Sequence, residues 1–375
     1  MDLDGDLGPD EEGPLGLGAS ILYGFEDTGP HQIAVILERG GERYRADRTV
    51  VVNDGAATRV VATGSASGSG WTEEIAYDPG DGTIYVLDRQ SRRLVRLHGA
   101  TLEALDEERL PGTGWAEGMA VDVDRDVAYV LVPDGIAAYS LADSIAFRGM
   151  ALLEEEMYGT LTVGPDGALY HVARGRIRRI DPDLGEVRAE SAAGTGPVAF
   201  DLAGERLVHA AAFGRIVSVL DPGTLGSIQH FEVPEDLPPP VAAAFHPAGD
   251  HLYVLLGRGE WHLLVIRLAD LEIVRDVVLG QDTNRFSSYD PGRSSPAAVS
   301  FDGRFVVFST GLGAFFVRTS DHLALYRTMD PPVDPGDFTP ENPIGCCNVA
   351  ASPTSPVFWF SNRSEGRVTR VEFLR

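Results

Sequence analysis

One block of this chain occurs twice in register, 44 residues apart: Trp71-Thr-Glu73-Glu-Ile75-Ala76-Tyr-Asp78 and Trp115-Ala-Glu117-Gly-Met119-Ala120-Val-Asp122. A repeat of that period implies an array of supersecondary units, each too small to bury its own apolar face. Short apolar strand cores then recur at Ile84-Tyr-Val-Leu87, Ala128-Tyr-Val-Leu131, Leu169-Tyr-His-Val172, Leu207-Val-His-Ala210, Leu252-Tyr-Val-Leu255, Phe305-Val-Val-Phe308 and Val357-Phe-Trp-Phe360, which makes seven units. Most are introduced by a turn rich in Gly, Pro or Asp, such as Asp78-Pro-Gly-Asp-Gly82 or His246-Pro-Ala-Gly249, the mark of a hairpin. A second hairpin lies downstream, as at Leu220-Asp-Pro-Gly-Thr-Leu225. Four strands per unit, at about 40 to 50 residues, is the signature of a β-propeller blade.

The predicted fold is therefore all-β, a seven-bladed β-propeller of four-stranded antiparallel blades. The last unit has only three strands before the chain stops at Arg375, and an open sheet edge invites aggregation. Arg59-Val-Val-Ala-Thr63 is predicted to supply the missing outer strand. Strand-like runs at Ile21 to Phe25, Ile33 to Leu37 and Thr49 to Val52 either edge that blade or build an eighth. Residues 1–19, acidic and Gly-rich, are expected to be a disordered tail. Residues 20–375 are expected to form a single propeller domain, with 20–63 as closing segment and units starting near 71, 115, 158, 195, 239, 294 and 345.

A formal charge of −25 argues against nucleic acid and anionic membrane surfaces, because counterion release rewards a basic face. Every one of the 31 basic residues is arginine, which excludes Schiff-base chemistry and a phosphate-loop lysine. No apolar run approaches the ~20 residues of a membrane span, and the acidic start lacks the features of a signal peptide. An acidic Gly-rich tether of this kind resembles the segment next to the lipidated cysteine in bacterial surface lipoproteins. The expected location is extracytoplasmic, periplasmic or at the cell surface, with a lipid anchor upstream of the numbered chain.

Phrases such as Pro296-Ala-Ala-Val-Ser-Phe-Asp-Gly303 and Gly80-Asp-Gly-Thr-Ile-Tyr-Val86 resemble the WD-like repeat of the YVTN-type seven-bladed propellers. That superfamily includes lactonases and the large subunit of quinoprotein amine dehydrogenases, and the likeness covers roughly residues 58 to 375. It implies a repeat class and not an activity.

Candidate site residues fall at one mouth of the central channel. Two connections there are long, Leu279 to Pro296, with Tyr289 and Arg293, and Arg327 to Asn348, a length that marks functional loops. The loops between second and third strands carry Arg89, Arg174, Arg258 and Arg363 among other arginines, which would attract carboxylates or phosphates. Trp71 and Trp115 are either packing wedges or an aromatic wall. Cys346 and Cys347 are adjacent; they form a vicinal disulfide platform for a ligand, remain two small thiols, or bind metal. Glu117-Gly-Met-Ala120 resembles the acidic segment of gluconolactonase-like propellers, which implies that Glu73, Glu117 and Asn348 hold a divalent cation. Calcium, with water completing the shell, is the candidate cofactor; the alternative is none. His171 and His209 occupy matching strand positions in neighbouring units.

Two functions of different class emerge. In the first, the propeller binds a small ligand, with anions favoured by the arginines, or a protein partner, without turnover. In the second, a metal at the channel mouth supports hydrolysis of a lactone or related ester.

Overall fold

The computed structural model describes residues 29–39, 42–52, 57–65, 72–152, 159–183, 185–194, 196–201, 203–211, 214–258, 260–281, 297–310, 313–327, 348–362 and 366–374. They fall into two compact units, Met1–Thr58 with Phe373–Arg375 and Arg59–Glu372. In the first, β1 (Gly29–Arg39) and β2 (Glu42–Val52) form a two-stranded antiparallel hairpin running from the Gly29–Val52 pair to Arg39–Glu42. The described residues of this unit build no eighth blade, and residues 1–28, with the run Ile21 to Phe25, lie outside them.

The second unit is a ring of seven four-stranded sheets. The first blade is β4 (Thr72–Asp78), β5 (Thr83–Asp88), β6 (Arg93–His98) and β7 (Ala104–Arg109). The second is β8 (Met119–Asp122), β9 (Val127–Val132), β10 (Gly135–Ser140) and β11 (Ala146–Leu152), and the third β12 (Thr160–Val163), β13 (Leu169–Ala173), β14 (Arg176–Ile180) and β15 (Val187–Ala192). The fourth is β16 (Val198–Phe200), β17 (Leu207–Ala211), β18 (Ile216–Leu220) and β19 (Ser227–Glu232), and the fifth β20 (Pro240–Phe245), β21 (His251–Arg258), β22 (Glu260–Arg267) and β23 (Glu272–Gln281). The sixth is β24 (Ala297–Val299), β25 (Phe305–Thr310), β26 (Gly313–Arg318) and β27 (Leu323–Arg327). The seventh is β28 (Val349–Ala351), β29 (Val357–Asn362), β30 (Arg367–Leu374) and, beside β30, the N-terminal strand β3 (Ala57–Ser65). The predicted closing strand is thus in place.

The ring results from where the apolar residues go. The second strands are buried on both faces, as in Thr83–Asp88 and Val127–Val132, whereas the outer strands alternate, as in Ala104–Arg109 and Ser227–Glu232. A sheet buried on both faces needs a neighbour on each side, and a radial array supplies one without leaving an end. Each apolar cluster accordingly spans two blades: Tyr85, Leu87 and Leu94 pack on Met119, Val130 and Tyr139, and Val254 and Leu264 pack on Val208 and Val217. Inner strands touch in sequence, β4 to β8 to β12 to β16 to β20 to β24 to β28, and β28 touches β4.

At that seam Trp359 stacks on Tyr77 with centroids 4.2 Å apart, and its Nε1 donates to the Gly99 carbonyl at 2.9 Å. The bond illustrates a recurring contact, in which the turn between third and fourth strands docks on the preceding blade. The Tyr170 hydroxyl likewise donates to the Pro222 carbonyl at 2.9 Å.

Candidate functional site

Successive antiparallel strands place the loop between second and third strands, and the connection from an outer strand to the next inner one, at the same end of the ring. Arg89 belongs to the first kind and Trp115 with Glu117 to the second. The structure joins them. Arg89 Nη2 donates to Glu117 Oε1 at 2.7 Å, with the two side chains 1% and 2% exposed. The Arg89 guanidinium carbon lies 4.6 Å from the centroid of Trp115, which is itself 59% exposed. A desolvated cation under an indole is an attractive arrangement, and a rigid ion pair beneath fixes the ring where solvent reaches it.

Local backbone geometry aims these groups. Asp88 accepts a bond from Ser91 N at 2.9 Å, which shapes the turn carrying Arg89. On the facing side Glu117 N donates to the Leu131 carbonyl at 3.1 Å, and Leu131 N donates to Gly118 O at 2.8 Å, so two residues oppose one. Such a bulge redirects a side chain out of the alternating pattern. Gly118 has no room for a side chain, because a Cβ there would stand 2.9 Å from Leu131 Cδ1.

A matching irregularity lies at the start of β4, where register shifts between Thr72 and Glu74 and Glu73 is the extra residue. Asn348 Nδ2 donates to Glu74 Oε2 at 2.8 Å, and Asn348 N donates to Ser361 Oγ at 3.2 Å. The buried carboxamide therefore joins the seventh blade to the first through Glu74, the neighbour of the residue expected from the sequence. Of the expected metal trio, Glu117 is paired with Arg89, Asn348 with Glu74, and the Glu73 side chain lies outside the described residues.

Trp71, Tyr289, Arg293, Cys346, Cys347 and Arg363, with most of both long loops, lie outside the described residues, and Arg258 is described in its backbone alone. Arg174 is exposed at the β13–β14 turn with φ of 48°. Several other arginines of this group are engaged within their own blades. Arg176 donates to Glu190 at 2.7 Å, Arg93 pairs with Glu107, and Arg215 donates to the carbonyls of Pro234 and Leu237.

His171 and His209 are both buried, and burial pushes the His209 imidazole down to about 4. Neutral at ordinary pH, it is a packing residue. Sequence reasoning passed over a different cluster. His246, Asp250 and His251, on the β20–β21 turn, present donor atoms that lie within 4.8 Å of one another. No standard ligand spacing announces it; the available signal is that this turn departs from its counterparts in other blades.

No family model matches the sequence, and no curated protein does either. Among solved structures, the chain is similar to one from the Kuenenia stuttgartiensis hydrazine synthase, at 14% identity and a TM-score of 0.63, with 82% of this chain and 96% of that one covered. At that identity the likeness speaks for the fold alone. No helix among the described residues is long and apolar enough to cross a membrane.

Proposed function

We propose that this protein is an extracytoplasmic propeller that binds a small ligand or a protein partner at the Arg89–Trp115 end of the ring, without turnover. One observation carries the reading: a largely exposed tryptophan held over a buried Arg89–Glu117 ion pair. Tryptophans in cores hide, whereas one fixed in place yet solvent-facing resembles the anchors of binding surfaces. The hydrolase reading draws less support, because an oxygen of Glu117 already accepts from a guanidinium and a metal would have to displace that cation.

The test is calorimetric titration with benzoate and with inorganic phosphate, in the wild type and in W115F and W115A. Saturable binding heat that W115A abolishes and W115F retains supports the reading. Hydrolysis of a simple lactone that E117Q abolishes would replace it with the metal-dependent enzyme.

A further inference from the structure

The β20–β21 turn lies at the end of the ring opposite Trp115. There Asp250 Oδ1 stands 2.8 Å from His246 Nδ1 and 3.0 Å from His251 Nδ1. His251 Nδ1 is buried and makes no hydrogen bond among the described residues. Ala248 N donates to His246 Nδ1 at 3.1 Å, so that nitrogen carries a lone pair and not a proton. A carboxylate oxygen 2.8 Å from a lone pair is repelled by it. A proton or a cation on Nδ1 would relieve the repulsion, and either would take that lone pair from the Ala248 N–H. A cation differs in engaging both imidazoles and the carboxylate at once.

The repeat provides an internal control. In the fourth blade the equivalent turn closes with Asp201 N donating to the Arg206 carbonyl at 3.1 Å, as His246 N donates to the His251 carbonyl at 2.9 Å. There the two side chains form an ordinary ion pair, Arg206 Nε to Asp201 Oδ2 at 2.8 Å. Both members are histidine in the fifth blade. Gly249, at φ of 72°, takes the left-handed conformation that folds the turn back and brings them together.

A third histidine completes the wall. His322 has φ of 57° in the β26–β27 turn, the position held by Leu102, Leu225 and Leu271 in the first, fourth and fifth blades. Its ring lies 4.8 Å from that of His251 and 5.9 Å from that of His246, and its Nδ1 meets the Tyr253 hydroxyl at 2.9 Å. Three histidines thus converge from two blades, where the fourth blade carries aspartate and arginine and the first, fourth and fifth carry leucine.

We propose that His246, Asp250 and His251 form a binding site for a borderline divalent transition ion, with zinc as the reference case. Two imidazoles and one carboxylate suit zinc, cobalt(II), nickel or copper(II), while calcium and magnesium prefer all-oxygen shells. Ligand atoms at zinc–ligand distances of about 2.0 to 2.1 Å in a tetrahedron stand roughly 3.3 Å apart; here the two His–Asp contacts are 2.8 and 3.0 Å and all three donors lie within 4.8 Å of one another. Three protein ligands leave a position for water or a small external ligand, and Asp250, 57% exposed, keeps that side open. His322 is a positioning residue that shields the His251 ring.

The full chain, stripped with chelator and exchanged into metal-free buffer, is titrated with zinc by calorimetry, and retained zinc is measured per chain. One zinc per chain is expected. The H246D/H251R variant recreates the fourth-blade ion pair, so its thermal midpoint without metal should match the wild type while zinc affinity falls at least ~100-fold, beyond the loss typical of an outer-shell change. D250N, altering only an exposed carboxylate, should lower affinity at least ~10-fold and shift the cobalt(II) absorption bands. A wild type that retains no zinc overturns the proposal. So does binding undiminished in both variants, which would put the metal elsewhere.

Discussion

A histidine buried without charge makes stability depend on pH in a definite direction. For His209 the folded value is about 4, below the ordinary value near 6.5, so the unfolded chain takes up the proton first as pH falls. Its contribution is complete above about 6.5 and is lost as pH descends toward 4, on the order of 3 kcal/mol in all. Urea unfolding at pH 7.0 and 4.5 should show the H209Q variant losing about 2.5 kcal/mol less than the wild type between those values. Equal losses would mean that His209 is not buried as described. At this scale the sequence was only partly legible. Arg89, Trp115 and Glu117 were each singled out, but their pairing was not, because it depends on a bulge at Glu117 that no residue type announces. Asn348 is expected from the sequence beside Glu73 and Glu117, and it meets Glu74, since the register shift makes Glu73 the extra residue.

Among the elements, β3 has the most consequence for its length. It was readable in advance because an outer strand precedes every other inner strand, and Arg59 to Thr63 filled the one vacancy; the structure extends it to Ala57–Ser65. The hairpin of β1 and β2 was legible only as separate apolar runs. Its pairing is fixed by register, which the side-chain pattern there does not specify. Removing β3 leaves β30 as an unpaired edge, a template for intermolecular pairing. A chain beginning at Thr72 should therefore form dimers or larger aggregates by light scattering, whereas one beginning at Ala57 should not. A monodisperse, equally stable product from the shorter chain would show that β3 is dispensable.

For the molecule as a whole, the net charge works against compactness. With the whole chain at −25, folding concentrates like charges that the unfolded chain can spread apart, and salt screens that repulsion. Exposed pairs such as Arg267–Asp270 and Arg318–Asp321 weaken under the same screening, but each is worth little. The thermal midpoint should rise between 10 and 150 mM sodium chloride, by a few degrees in calorimetry; a fall would show that the ion pairs outweigh the net charge. The architecture was the most legible level, because seven repetitions of a weak pattern reinforce one another. The histidine cluster was not, since each member is ordinary alone and conspicuous only against its counterparts. Closure by β3 also bears on synthesis. The strand leaves the ribosome ahead of the ring's other strands and waits about 300 residues for its partner β30, some 15 to 60 s at translation rates of roughly 5 to 20 residues per second. Throughout that interval the nascent chain carries an unmatched edge that only a chaperone or the tunnel's vicinity can shield.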